Sequence, residues 1–458
     1  MQYLSTRNNS LEESFSTILF QGLSKDGGLF LPHTWPIIST KNLKGKNYHE
    51  VAHAVIKPFI NDNSISDDEL FSILSNTYRK FDHEKVAPLI QIEKNKYILE
   101  LFYGPTFAFK DYAMQFLGSL LTHVLLKSSK KISILGATSG DTGSAAINAF
   151  KGKQDINVFM LYPHERVSEV QRRQMTTVTD TNIHTIALKG TFDDCQKIIK
   201  KLFLDSKLQS ETSLTAVNSI NWVRIIAQTV YYFWSYVQLD LDSDKISFIV
   251  PSGNFGNIFS AQVAHYMGLP IDQLYLVTNA NDILHRTIAS GKMETASVKQ
   301  TYSPSMDIQV SSNFERQIFE SLGRNSDSLK DIMNSFSKTG RYTLSDKVVK
   351  NLQDIFSSYS VSNQQTLKTI NNFKNQYNYL ADPHTATGLY VLEKEQSDKP
   401  LISLACAHPA KFGNAIKEAT GSPPNFPQEL KNIFDKEEKV IILDNNIEDI
   451  KNHILKNL

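Results

Sequence analysis

Cysteine is nearly missing from this chain: Cys195 and Cys406 are the only two in 458 residues. That rules out a disulfide scaffold and a cysteine-rich zinc site, and it suits a reducing compartment. A charge surplus is missing too. Lys and Arg number 48 against 47 Asp and Glu, a formal net of +1, so the chain has no overall field to attract a phosphate backbone or an anionic membrane. We therefore expect neither a nucleic-acid nor a membrane partner. Long apolar runs are also absent. The strongest, residues 225–239 (IIAQTVYYFWSYVQL), is broken by Gln228, Thr229, Ser235 and Gln238 and is shorter than the roughly 18 residues a spanning helix needs. It reads as a buried helix. The opening MQYLSTRNNSLEES has neither the basic start nor the apolar core of a signal peptide, so a cytoplasmic location is expected. No internal repeat appears.

What is present is alternation. At about 150 residues per domain the length allows two to three domains. From residue 97 onward, short apolar runs alternate with helical patterns, the mark of a parallel sheet with crossover helices. The strand candidates are 97–102, 131–139, 156–163, 183–190, 245–253, 274–281 and 400–407. Helical patterns fall between most of them, at 111–126, 142–150, 168–178, 192–204, 221–239 and 257–267. Residues 1–90 read as a separate, mainly helical segment with patterns at 10–22 and 49–60, and 313–378 reads as a helical, polar insertion covering one side of the sheet.

Three segments carry chemistry. GATSGDTGSAA (136–146) sits where a strand gives way to a helix, and small residues there expose backbone N–H groups and the positive end of the helix dipole to an anion. It is not a nucleotide P-loop, because the second glycine and the lysine of that pattern are missing, and no GxGxxG is present. A plain capped turn would use the same residue types. PSGNFGN (251–257) repeats the geometry at a second strand-to-helix junction, its glycines letting backbone wrap a phosphate; a tight turn is the alternative. Two such turns on one sheet point to one site at the carboxyl ends of the strands. In GPTFAFKDYAMQF (104–116), Lys110 lies among Phe107, Phe109 and Phe116. An apolar setting favours the neutral amine that condensation with an aldehyde requires, although most lysines are simply exposed.

Together with QGLSKDGGLFLP (21–32), ELFYGPTFAFKD (100–111), KGTFDDCQ (189–196), VNSINWVRIIAQ (217–228), SSNFER (311–316), DPHTATG (382–388) and AHPAKF (407–412), these blocks make the chain resemble the bacterial and fungal threonine synthases. The matching blocks run in order from residue 21 to 412. The resemblance implies a pyridoxal-phosphate enzyme of fold type II, like the tryptophan synthase β-subunit: α/β, with open, mostly parallel sheets and helices on both faces. It implies a large cofactor domain formed by 91–135 and 216–458, and a small mobile domain at 136–215 that closes over substrate. It implies a carbon–oxygen lyase acting on O-phospho-L-homoserine and water to give L-threonine and phosphate, with the oligomeric state left open. Lys110 would carry the cofactor covalently and shuttle protons. Gly253, Asn254, Phe255, Gly256 and Asn257 would hold the cofactor phosphate, and Cys406 would stand at the pyridine nitrogen, where the family usually has Ser or Thr. Ser139, Thr142, Asn313 and Arg316 would bind substrate, with Arg316 on its phosphate. Asp141 stands where relatives in the wider fold have Asn near the phenolic oxygen; a carboxylate there must sit differently or be protonated.

Other readings remain within reach of the sequence. The same chemistry would serve a phospholyase or a dehydratase. From another class, His49-Glu50-Val51-Ala52-His53 matches HExxH, which on a helix puts two imidazoles on one face for zinc beside a general base. Glu69 is the candidate third ligand for such a peptidase, whereas a packing helix would explain the pair without metal.

Overall fold

The structure is a computed structural model that describes residues 1–60, 62–128, 130–241 and 244–458. All seven expected strand runs form strands, and they divide between two sheets. The larger sheet has six strands in the order Phe356–Ser360, Ile271–Thr278, Ile246–Pro251, Leu401–Ala405, Lys96–Glu100 and Leu89–Glu93. Every neighbouring pair is parallel except the last, which is antiparallel. Its central strands, ISFIVP and LISLA, are buried along their whole length. Parallel strands covered on both faces by helices require this, and it is why they read as unbroken apolar runs.

The second sheet is parallel throughout, in the order Ile441–Asp444, Ile183–Lys189, Ile156–Pro163, Ile132–Ala137 and Ser213–Thr215. Here the expected domain division needs correction. The C-terminal strand pairs with Ile183–Lys189, and Ile450 and Ile454 of the helix Ile447–Lys456 pack with Leu135, Phe159 and Leu188. The chain end thus completes the small sheet rather than extending the large one. The 313–378 stretch also differs from a purely helical insertion, since Phe356–Ser360 forms the edge of the large sheet.

In the N-terminal segment the expected helix at 10–22 shortens to Phe15–Phe20. Asn8–Glu13 instead pairs antiparallel with Tyr3–Ser5, which also pairs with Phe30–Pro32. Ser14 sets the boundary, its hydroxyl accepting from the Thr17 N–H as a helix cap. The helix Trp222–Gln238 is the expected buried one: every residue from Trp222 to Tyr236 is buried. No helix among the described residues is long and apolar enough to cross a membrane.

Candidate active site

The site begins with how Lys110 is held. It opens the helix Lys110–Ser128, directly after a turn closed by Asp111, whose carboxylate accepts from the Thr106 N–H at 2.8 Å and hydroxyl at 2.7 Å. Phe107 adopts a left-handed conformation (φ 60°). The Phe109 N–H donates to the Cys406 carbonyl at 2.8 Å, and the His408 N–H to that of Phe107 at 3.0 Å. The lysine turn is thereby tied to the chain leaving strand Leu401–Ala405. Lys110 itself is 9% exposed, its ammonium 4.6 Å from the centre of the Phe109 ring. Burial, the largest influence, pulls its pKa below the ordinary lysine value; Asp141 opposes this and the nearby Arg224 reinforces it.

The second part is the turn into helix Gly256–Tyr266. Phe255 caps it at φ 60°. Behind the turn, the Ser311 hydroxyl donates to the Gly253 carbonyl at 2.8 Å, and the Asn313 N–H and side-chain amide both donate to the Asn254 carbonyl at 3.1 Å. Those two carbonyls are tied back. Among the described residues, the N–H groups of Gly253, Asn254, Phe255, Gly256 and Asn257 donate to no carbonyl or side chain, which leaves them for an anion at the positive end of the helix. The Asn257 Oδ1 accepts from the hydroxyls of Tyr231 and Tyr232, while its buried Nδ2 has no partner. A Cβ on Gly253 would stand 3.0 Å from the Ser305 carbonyl and 3.1 Å from Met306 Cα.

These parts line one cavity with Asp141, Thr142, Arg224, Ser305, His384 and Cys406. Thr142 and Asp141 start the helix Asp141–Phe150, whose N-terminus is held by Thr138: its hydroxyl accepts from the N–H groups of Gly140 and Gly143 at 3.0 and 2.8 Å. Ser139 is half-buried next to this turn and does not line the cavity. Asn313 and Arg316 also lie outside it. Arg316 is fully buried, donating through Nε to Phe30 O at 3.0 Å, through Nη2 to Ile220 O at 2.8 Å and through Nη1 to Asn313 Oδ1. Each of its three guanidinium nitrogens is engaged by a protein oxygen away from the cavity, so it is not placed to meet a substrate phosphate there, and it orients the Asn313 amide behind the loop. This corrects the expectation that Arg316 and Asn313 touch substrate.

Asp141 finds a solution not foreseen from sequence. The ammonium of Lys411, itself fully buried, lies 2.9 Å from Asp141 Oδ1, and that of Lys110 lies 3.7 Å from Oδ2. Gln171 Nε2 donates to Oδ1 at 2.9 Å. Burial opposes charge on Asp141, but Lys411 and Lys110 outweigh it and hold the carboxyl far below the usual carboxylate range. It is therefore ionised, not protonated. Cys406 is the reverse: burial first, then the Asp382 carboxylate, push its thiol well above the ordinary value, so it stays a neutral weak donor. His384, also missed, shares a 2.9 Å hydrogen bond with Asp382 through Nδ1 and accepts from the Ser305 N–H at 3.2 Å. DPHTATG marked the place without indicating the role.

The HExxH pair is accounted for structurally. Glu50 completes the capping box of helix Tyr48–Ile56, accepting from the Asn47 N–H at 2.8 Å. His53 pairs with Asp67 at 2.9 Å, and Glu69 is taken up by Lys127 and His123. No group of three potential metal ligands occurs among the described residues.

Comparison with known proteins agrees with this geometry. Family models match in sequence along the chain: threonine synthase N terminus over residues 2–78, pyridoxal-phosphate dependent enzyme over 81–334, and threonine synthase, C-terminal, over 385–454. A threonine synthase of Pseudomonas aeruginosa is 44% identical over 453 residues, covering 98% of this chain and 96% of its own. The chain belongs to the threonine synthase family. A threonine synthase of Saccharomyces cerevisiae is 40% identical, with 100% of this chain and 98% of that one covered. The crystal structure of a pyridoxal-phosphate-bound threonine synthase from Brucella melitensis superposes with a TM-score of 0.96 at 42% identity, covering 100% of this chain and 99% of the other. This threonine synthase family member is thus a pyridoxal-phosphate-dependent enzyme. The residues around the cavity fit that cofactor: five free N–H groups at a helix start for the phosphate, a buried lysine for the aldehyde and a neutral thiol for the ring nitrogen.

Proposed function

We propose that the chain converts O-phospho-L-homoserine and water into L-threonine and phosphate, at the cavity shared by Lys110, Asp141, Cys406 and the 253–257 loop. The observation that carries this reading is the convergence of a buried, pKa-lowered lysine and an unused anion-binding turn on one cavity. When bound, pyridoxal phosphate supplies an electron sink for the carbanion formed next to the substrate amino group.

The chain's own residues do the rest. Residues 253–257 and the Asn257 amide bind the phosphate of the cofactor, and Asn313, locked by Arg316, keeps that loop in shape. Lys110 is the covalent anchor. Once released, its Nζ is the group placed to accept and return protons, and burial lowers its pKa in the direction that role needs. Asp141, held charged by Lys411, stands beside Lys110 and steadies its ammonium form whenever it holds a proton. Cys406 offers the ring nitrogen a weak hydrogen bond without charge, and Thr142 at the N-terminal end of helix Asp141–Phe150 lines the cavity and faces the substrate, with Ser139 in the turn before it. Closure of the small sheet over the cavity excludes water until it is wanted; slower hydrogen exchange in 136–215 with a substrate analogue would support this, and unchanged exchange would count against it. We place the activity in the cytoplasm, acting on a small molecule.

The test is an absorption spectrum of wild type beside Lys110→Ala, then addition of O-phosphohomoserine with phosphate and threonine both assayed. We expect a band at the visible edge in wild type alone and equal release of phosphate and threonine. Phosphate without threonine would move the assignment to a phospholyase, and keto acid to a dehydratase.

A further inference from the structure

Tyr231 and Tyr232, in the middle of helix Trp222–Gln238, are fully buried, and both point their hydroxyls at Asn257, the second residue of helix Gly256–Tyr266 and part of the cavity lining. Neither tyrosine lines the cavity itself. Asn257 Oδ1 accepts from both, from Tyr232 at 2.8 Å. Beyond that point the two differ. Tyr232 has a second acceptor, the Asn257 carbonyl at 3.0 Å, whereas the Tyr231 hydroxyl has no acceptor among the described residues except Oδ1. Packing keeps the rings in place: Tyr231 stands edge-on to Tyr112 with centroids 5.8 Å apart, and Tyr232 edge-on to Phe248, in the strand that leads into the 253–257 turn, at 4.8 Å. Burial, the largest influence, pushes both phenols well above the ordinary tyrosine value, so both keep their protons.

A carboxamide donates from one end and accepts at the other, and its partners decide which end faces which way. With Oδ1 claimed by two hydroxyls, Asn257 Nδ2 is left buried with no partner in the protein, on the same helix start whose N–H groups are free. Turning the amide over would strand the Tyr231 proton in the interior, which is costly for a buried donor, and would bring an acceptor oxygen to a place suited to an anion. Tyr232 could tolerate the turn by donating to the Asn257 carbonyl and accepting from Nδ2; Tyr231 could not. We propose that Tyr231 is a positioning residue of the anion site: its hydroxyl fixes Asn257 with the Nδ2 donors toward the phosphomonoester of a ligand at the 253–257 turn, and Tyr232 follows rather than leads. The proposal rests on the cofactor reading above, and its test separates the two.

Wild type, Tyr231→Phe, Tyr232→Phe and Asn257→Ala are freed of cofactor and titrated by absorbance with pyridoxal phosphate and with pyridoxal. Losing one hydrogen bond to a charged group should weaken pyridoxal phosphate by roughly 10-fold in Asn257→Ala. Tyr231→Phe, which lets the amide turn, should lose roughly 3- to 10-fold, Tyr232→Phe should stay near wild type, and pyridoxal should bind all four alike. Adding Tyr231→Phe to Asn257→Ala should cost nothing further. Loss of packing would not produce such an asymmetry between two neighbouring, equally buried tyrosines, seen with one ligand only. Equal losses with both ligands, equal selective losses in the two tyrosine variants, unchanged affinity in Tyr231→Phe, or the same loss from Tyr231→Phe with the Asn257 amide already removed overturn the proposal. Should Tyr231→Phe not fold, Tyr231→Met removes the same hydroxyl and is judged by the ratio of the two affinities. A wild type that gained no band with pyridoxal phosphate would refute the cofactor reading instead. Inorganic phosphate then tests Tyr231 by itself: protection of wild type against thermal unfolding that falls in Tyr231→Phe but not in Tyr232→Phe supports the proposal, and equal protection or none refutes it.

Discussion

Replacing Lys411 by methionine keeps the length of the side chain and removes a charge from the most enclosed part of the site. Lys411 is fully buried, its ammonium 2.9 Å from Asp141 Oδ1 and donating to Thr106 O at 2.7 Å. In Lys411→Met, Asp141 keeps Lys110 at 3.7 Å and the Gln171 amide at 2.9 Å but loses its nearer cation. Unit charges about 3 Å apart attract by ~5 kcal/mol at an effective dielectric of about 20. Desolvation already consumes much of that, so the measurable quantity is the cost of stranding one partner, about 3–5 kcal/mol. Asp141→Asn should cost a comparable amount by stranding Lys411. The double replacement leaves two neutral groups in contact, and its loss should fall short of the sum by ~2 kcal/mol or more. Chemical denaturation of the four proteins measures this cycle. Stability of Lys411→Met within about 1 kcal/mol of wild type, or losses that simply add, would refute the view that the pair holds Asp141 ionised. Spectroscopy adds an independent check. With Lys411 gone, Asp141 has Lys110 as its one close cation, which favours the ammonium form of Lys110, so loading with cofactor should require a higher pH than in wild type.

Three further outcomes are expected. Gly253→Ala pushes a methyl against backbone at Ser305 and Met306, 3.0 and 3.1 Å away; overpacking of about 1–3 kcal/mol should weaken retention of cofactor on dialysis, and unchanged retention would show that the turn has room. Glu50→Ala removes half of a capping box and should cost about 0.5–1 kcal/mol in unfolding assays while threonine formation is preserved; loss of activity at unchanged stability would revive the metal reading. His184, stacked on Phe159, has its pKa drawn down from 6.5 to about 4 by burial first and then by His453 and Lys439. The unfolded chain protonates it first as pH falls, so its favourable contribution is intact above about pH 6.5 and lost progressively down to about pH 4. Melting curves across that window should therefore shift in favour of His184→Phe relative to wild type, and a constant difference would contradict the burial argument.

Local pattern carried much of the fold. The strands at 246–251 and 401–405 are apolar without a break because both faces are covered, and a run of that kind can be read from sequence. Lys110 and the 253–257 turn were legible for a similar reason: phosphate at a helix start and an amine among aromatics each need particular residues in succession. The misses depend on partners far away in sequence. Ile441–Asp444 is short and half solvent-facing, and nothing local says that it pairs with Ile183–Lys189. FSSYS at 356–360 is an edge strand with little apolar character. Arg316 and Arg224 are the same residue type beside equally unusual motifs. One is satisfied by Phe30, Ile220 and Asn313, and the other is not, a difference that exists only once the chain has folded.

Charge shows the same separation between composition and site. The formal net of +1 is silent on the cavity, where Lys110 and Lys411 flank Asp141 and Arg224 lines the wall, while the buried Asp382 nearby is engaged by His384 and by Thr385. The neighbouring thiol cannot balance them, because burial keeps Cys406 protonated. Burial draws the pKa of Lys110 down while Asp141 opposes the shift, and the buried Asp111 carboxylate, bound by Thr106, is a second acidic group on which Lys411 acts. The free N–H groups of residues 253–257 line that cavity and offer more to a phosphate group than to a neutral amino acid. On the proposed function, discrimination between a phosphorylated and an unphosphorylated ligand would rest on these buried donors as well as on shape. It should therefore be screened by salt less than a surface interaction, because the groups involved are buried.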